Sequence, residues 1–277
     1  MTVALFWLGP MRIVHRISFA GRPEYTARLD HLGVRVPESG FVSFELDEAD
    51  TRWAAIKSWV ERTGVVDIIR TEFAADEIDG APWLEFEPTW HWSYPQPNEN
   101  DFGYLKATYD LTSFCSTCGI GLRQRAPFQV KREPNWGRCG MLQLNWVFDE
   151  YFVRRDHEEL FASFDVPVRA VVNRKGERLE SIVQLDVAQL VDVKADGLGY
   201  EKCPVCGRIK YDPIVRGPFP PIEDVPSVHA VKTRQYFGSG ASAYRAVLVS
   251  AELGREVRAH QIKGISLYPV SSKSMCR

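Results

Sequence analysis

Six cysteines stand in this chain of 277 residues, and four of them form two matching tetrads, Cys115-Ser-Thr-Cys118-Gly119 and Cys203-Pro-Val-Cys206-Gly207. Two thiols three residues apart on a tight turn can aim both sulfurs at one cation, while the amides of the turn donate to them. The glycine after each second cysteine supplies the positive φ that closes such a knuckle. Two knuckles complete a tetrahedral four-thiolate shell, the chemistry of a structural zinc ion. Cys115, Cys118, Cys203 and Cys206 are the expected ligands, and Gly119 and Gly207 the knuckle glycines. Four thiolates leave Zn2+ with excess negative charge, which Arg123, Arg125, Lys202, Arg208 and Lys210 are close enough in sequence to offset. The knuckles stand farther apart than in a zinc ribbon, so a shared ion would clip two distant segments together.

Other thiol chemistries fit less well. A thioredoxin-type pair wants its first cysteine at a helix N-terminus, whereas glycine and no helix signal follows either tetrad. A zinc deaminase needs His-x-Glu ahead of Pro-Cys-x-x-Cys. His157-Glu158-Glu159 offers the first element, but Lys202 stands where the proline belongs, and the first tetrad is left without a role. Cys139 and Cys276 have no partner at ligand spacing and read as a small buried residue and a tail thiol. His91, between Trp90 and Trp92, reads as a packed loop residue. No glycine-rich phosphate loop, nucleophile elbow or His-Glu-x-x-His element occurs, so the expectation is a protein that is not an enzyme.

The elements that must carry the knuckles read as an α+β fold of strand-rich mixed or antiparallel sheets with a few covering helices and the four-cysteine structural zinc knuckle pair. Apolar spacing predicts helices over 47–63, 156–164 and 250–262. In the first, Asp47 or Asp50 caps, Trp53, Ile56, Trp59 and Val60 form one stripe, and Gly64 ends it. Strands are expected over 11–19, 65–73, 127–131, 141–148, 168–173, 179–187, 246–249 and 265–270. In 141–148 the alternation of Leu142, Leu144, Trp146 and Phe148 predicts one core face. Asn173-Arg-Lys-Gly176 has hairpin-turn chemistry. A Pro/Trp-rich connector over 81–102 suggests parts at 1–95 and 96–277, with one continuous domain as the alternative.

Composition is that of a folded globular chain, with 45% apolar and 25% charged residues and a net charge of −2. Near-neutral charge gives no global attraction for nucleic acid. The first apolar stretch, 2–14, is broken by Gly9-Pro10 and by basic residues well short of the roughly 20 residues of a membrane span. Its charge follows the apolar run instead of preceding it, unlike a secretion signal, so no membrane and a cytoplasmic location are expected, with Met11 as a second candidate start. Residues 45–87 hold twelve carboxylates against four basic side chains. Such a run is a solvated face or a surface that speeds encounter with a basic partner, with Asp76, Glu77 and Asp79 as the candidate contacts.

The two Cys-x-x-Cys-Gly tetrads, a start of Met11-Arg-Ile-Val-His-Arg-Ile with Pro23-Glu-Tyr-Thr26 soon after, and an ending of Ala246-Val-Leu-Val-Ser250 through Gly264-Ile-Ser-Leu-Tyr-Pro-Val270 resemble the bacterial double-CXXCG motif proteins. That family is placed on the immunity side of contact-dependent and polymorphic toxin systems. The resemblance implies a non-catalytic protein that neutralises a cognate protein toxin by occlusion. The alternative is a zinc-containing enzyme or nucleic-acid-associated protein that uses Arg123, Arg125, Lys131, Arg132 and Arg138 on phosphates.

Overall fold

The computed structural model describes residues 11–98 and 102–272. Among them are sixteen strands and six α-helices in mixed and antiparallel sheets, an α+β protein as expected. None of these helices is long and apolar enough to cross a membrane. The chain divides into two compact units. One runs to Glu77 and takes in Ile214–Pro218, and the other holds Ile78–Pro213 and continues from Phe219. The division therefore falls between Glu77 and Ile78, upstream of the expected boundary at 95.

The first unit is built from β1 (Arg12–Ala20), α1 (Pro23–His31), β2 (Phe41–Asp47), α2 (Trp53–Thr63) and β3 (Val66–Glu72). The strands lie in the order β2-β1-β3, all antiparallel. Ile17, Phe19, Val42 and Leu46 share one face of this sheet and pack with Leu29 of α1 and Ile56, Trp59 and Val60 of α2. The α2 stripe and its glycine stop, Gly64 at φ 63°, are as expected. Its start is not. Residues 41–47 are drawn into β2, and the Asp47 and Asp50 carboxylates close turns by accepting from the amides of Ala49 and Arg52.

The acidic run is partly neutralised from within. Arg70 pairs with Glu45 at 2.8 Å and Glu72 at 2.7 Å, and Arg12 donates to Glu72 at 2.7 Å. His15, only 1% exposed, lies against Trp53 with its ring nitrogens 2.8 Å from Asp67 and 3.0 Å from Glu48. Arg216 reaches Glu48 at 2.7 Å, and Thr71 holds both Val215 and Gly217 by hydrogen bonds, which fastens Ile214–Pro218 to this unit.

The second unit begins within α3 (Ala75–Gly80). In chain order it contains β4 (Trp83–Pro88), α4 (Tyr104–Thr108), β5 (Tyr109–Asp110), β6 (Arg123–Gln124), β7 (Met141–Leu142), β8 (Phe152–Arg154) and α5 (Glu158–Ala162). It goes on through β9 (Val168–Val172), β10 (Arg178–Leu185), β11 (Leu190–Val191), β12 (Tyr200–Lys202) and β13 (Ile209–Tyr211). It ends with β14 (Ala230–Thr233), β15 (Val247–Ser250), α6 (Ala251–Ala259) and β16 (Ile265–Pro269). A five-stranded sheet runs β11-β14-β15-β4-β16, antiparallel except for the parallel β11–β14 pair, and a four-stranded antiparallel sheet runs β7-β8-β10-β9.

One core joins Leu84, Phe86, Val247, Val249 and Leu267 of the larger sheet to Leu253 and Val257 of α6 and to Val153, Val183 and Leu185 of the smaller sheet. A second, aromatic core gathers Tyr104, Tyr109, Phe128, Trp136, Leu142, Leu144 and Phe152. Ser250 caps α6 as expected, its hydroxyl accepting from the Leu253 amide at 3.2 Å.

Three expectations need correction here. β4 lies inside the stretch read as a connector and is an inner strand of the larger sheet. Residues 127–131 form no named strand and touch β9 through an isolated Gln129–Val172 bridge. The strand over 141–148 ends at Leu142, because Trp146 turns the chain at φ 68°. Leu142 and Leu144 are buried, whereas Phe148 is exposed and Trp146 lies exposed against the rings of Tyr94 and Phe102.

A buried ion pair ties β14 to the segment before β8, with Lys232 Nζ 2.6 Å from Glu150 and Gln184 donating to the second carboxylate oxygen at 2.9 Å. Removing one partner strands the other charge away from water. Lys232→Met should cost about 3–5 kcal/mol in urea unfolding at neutral pH. The deficit should shrink as the pH falls and the carboxyl takes up a proton, and in the double variant with Glu150→Gln. A double variant no more stable than Lys232→Met alone would contradict this account.

Candidate metal centre

Each knuckle hangs from a minimal two-stranded ladder. Tyr109–Asp110 pairs with Arg123–Gln124 around the first, and Tyr200–Lys202 pairs with Ile209–Tyr211 around the second. The two loops have the same backbone wiring. The Gly119 amide donates to the Cys115 carbonyl at 2.8 Å and the Gly207 amide to the Cys203 carbonyl at 2.9 Å. The Cys115 and Cys203 amides donate to the carbonyls of Ile120 and Arg208, both at 2.9 Å. Gly119 and Gly207 have φ of 80° and 72°, the left-handed conformation that favours glycine. The short Tyr104–Thr108 helix leads into β5.

The structure brings all four tetrad cysteines together. Their sulfurs lie within 4.8 Å of one another, three of the residues buried and Cys206 half-buried. Between knuckles, Cys115 Sγ lies 3.8 Å from Cys203 Sγ and Cys118 Sγ 3.6 Å from Cys206 Sγ. A disulfide would need about 2.05 Å. A tetrahedral ion with metal–sulfur bonds of about 2.3 Å sets its sulfurs about 3.8 Å apart, so the spacing fits the edges of such a shell. The four cysteines could hold a metal ion.

The local field favours thiolate at two of these positions. Amides of the turn, first that of Cys118, pull the Cys115 thiol below its ordinary range. The Arg208 amide and then its guanidinium bring Cys206 down to about 6. Burial pushes Cys118 up to about 12, the cost of placing a further charge in this space.

Of the five cations expected to offset the cluster, two reach it. Arg208 Nε lies 3.3 Å from Cys206 Sγ, and the buried Lys210 donates to the carbonyls of Cys118 and Gly240. Arg125 is turned to the Lys106 carbonyl instead, and Arg123 lines a neighbouring cavity. Ile120, Tyr236 and Ala243 pack around the thiols.

Gly121 was missed in the sequence. At φ 108° it lies where a side chain would run into the Ser113 carbonyl and Arg208, and the Cys118-Gly-Ile-Gly121 spacing was the available signal. Cys139 is half-buried and stays outside the cluster, and Cys276 lies beyond the described residues. His91 is exposed and bridges to Gln143. Among the acidic candidates, Asp79 pairs with Arg258 and Glu77 accepts from the Ala74 amide at 2.8 Å.

Comparison of the chain with protein-family models, curated proteins and solved structures returns no match. The functional reading consequently rests on the cysteine geometry and on the motif resemblance.

The two knuckle glycines differ in surroundings. A side chain at Gly119 would run into the Ala241 carbonyl, whereas nothing lies near Gly207. Gly207→Ala should cost only the left-handed penalty of about 1–2 kcal/mol, and Gly119→Ala distinctly more, as read by urea unfolding. Equal losses would contradict the packing argument.

Proposed function

We propose that this is a non-catalytic, zinc-stapled binding protein that acts as an immunity protein, neutralising a cognate bacterial toxin by occlusion. The observation that carries the reading is the closed thiol shell. Four protein sulfurs use every position of a tetrahedral ion and leave none for water or substrate, which is the arrangement of structural zinc, not of catalytic zinc. Soft thiolates also select zinc over hard cations. In the cavity beside the first knuckle, Lys232 is paired with Glu150 and Arg169 with Asp186, which argues for a structural role of those charges. The toxin partner follows from the resemblance of the tetrads and both ends to the double-CXXCG proteins.

Occlusion requires surface complementarity and no bond chemistry. The proposed contacts for a basic toxin are Asp76, Glu77 and Asp79, of which Asp76 is the least engaged within the protein.

Elemental analysis of the purified chain should give a single zinc per molecule, lost in Cys203→Ser together with cooperative unfolding. An empty protein, or a visible iron–thiolate band, would overturn the zinc assignment. Where a toxin domain is encoded beside its gene, co-expression with that domain should restore growth. Failure to rescue with the metal centre intact would overturn the immunity role. Replacing Asp76, Glu77 and Asp79 by amides should slow association at low salt, and an unchanged rate would remove that surface.

A further inference from the structure

Along β4, Leu84 and Phe86 enter the core, so the two-residue period of a strand turns Glu85 and Glu87 to the other face. Both line a cavity of about 190 Å³ whose wall also holds His91, Gln143, Phe148, Tyr151 and Tyr244. Glu85 is 9% exposed and Glu87 half-buried, and neither carboxylate makes a hydrogen bond or an ion pair among the described residues. A buried carboxylate is ordinarily paired, so Glu85, unpaired and facing the same space as the unpaired Glu87, calls for a partner.

Burial, with Glu87 adding to it, pushes the Glu85 carboxyl well above the usual range, and burial pushes Glu87 up to about 7. Tyr151 and Tyr244 are raised by burial and then by these same two carboxylates, which places four acidic groups around one space. Arg245 contributes to the wall without compensating them. Its guanidinium stacks 4.5 Å from the Tyr236 ring and acts on Lys232, and its Nε has no partner. Opposite Glu85 and Glu87 on the flanking strands stand Leu248, Tyr268 and Ser266, none of them basic.

We propose that this cavity takes an alkylguanidinium or alkylammonium group, its charge held by Glu85 and Glu87 and its stem lying along Phe148, Tyr151 and Tyr244. Charge-assisted hydrogen bonds would satisfy both carboxylates, and aromatic faces attract cations. The volume is below the roughly 300–1,000 Å³ of drug-sized pockets, so it admits one small cationic group and not a nucleotide or an oligosaccharide. The proposal does not depend on the immunity role. The cation can be a free amine or guanidine, or a Lys or Arg side chain of a polypeptide.

The carboxyl pair is partly protonated near neutrality, and the cation favours its ionised form. Binding therefore releases protons and tightens as the pH rises from about 6 to about 8. Calorimetry on the full chain tests this with n-butylguanidinium and n-butylammonium as free cations, a blocked Gly-Arg-Gly peptide as the polypeptide source, and butyrate as the anionic control. Runs in buffers of different ionisation enthalpy read the proton release.

Saturable binding of a cation with proton release, weakened about tenfold or more in Glu85→Gln/Glu87→Gln, is the expected result. Preference for the peptide would identify a polypeptide source, and preference for the free cations a small molecule. No saturation by any of the three cations at about pH 8, tighter binding of butyrate, or unchanged affinity in a folded double variant would overturn it. The proton release is read on the unaltered chain, so a double variant that fails to fold leaves the test intact.

Discussion

Everything around the knuckles depends on four sulfurs, drawn from segments 88 residues apart, occupying a space only a few ångströms wide. The ladders that carry them are two and three residues long, far too short to stand alone in water. Little apolar surface supports them, since their cluster contains Ile120, Tyr236 and Ala243 beside the thiols. A metal ion held by these four cysteines would be a compact substitute for the missing core, because coordination to deprotonated sulfur couples binding free energy directly to folding. The conflicting tendencies of Cys118 and Cys206 follow from the same crowding. One thiol can be ionised by the Arg208 side, while the next meets an already charged, partly dry environment.

Charge elsewhere in the molecule follows a related logic. The acidic excess counted over 45–87 suggests a bare negative face, but Arg12, Arg70, Arg216 and Arg258 and the imidazole of His15 return to it from near and far in the chain. These contacts are mostly half-exposed and individually weak. Three of them, Arg12–Glu72, Arg70–Glu45 and His15–Asp67, cross between β1, β2 and β3. Glu85 and Glu87 belong to the same stretch and escape this pattern, since β4 carries them into a cavity whose arginine, Arg245, turns to the Tyr236 ring instead.

The parts legible in the sequence were those whose physics is local. Two thiols and a glycine within five residues define a knuckle whatever lies beyond, and Ser250 capping α6 or Gly64 ending α2 are equally short-range. Parts decided by distant pairing were obscured. β4 hides among tryptophans and prolines because its strand character comes from β15 and β16. The α1 segment, Pro23–His31, buries only Leu29, too faint a stripe for periodicity to reveal. Leu142 through Phe148 alternates as a strand would, yet a left-handed Trp146 converts the second half into an exposed turn, a conformation no residue pattern there announces. Convergence of the tetrads was legible as chemistry, and the cross-knuckle pairing that achieves it was not.

Residues 214–218 leave the larger unit, complete the smaller one through Thr71 and Glu48, and return. The smaller unit is thus discontinuous in the gene, stitched from a leading block and a five-residue loop more than a hundred positions downstream. It cannot be lifted out as a cassette by any single cut, nor exchanged by simple recombination without losing that patch.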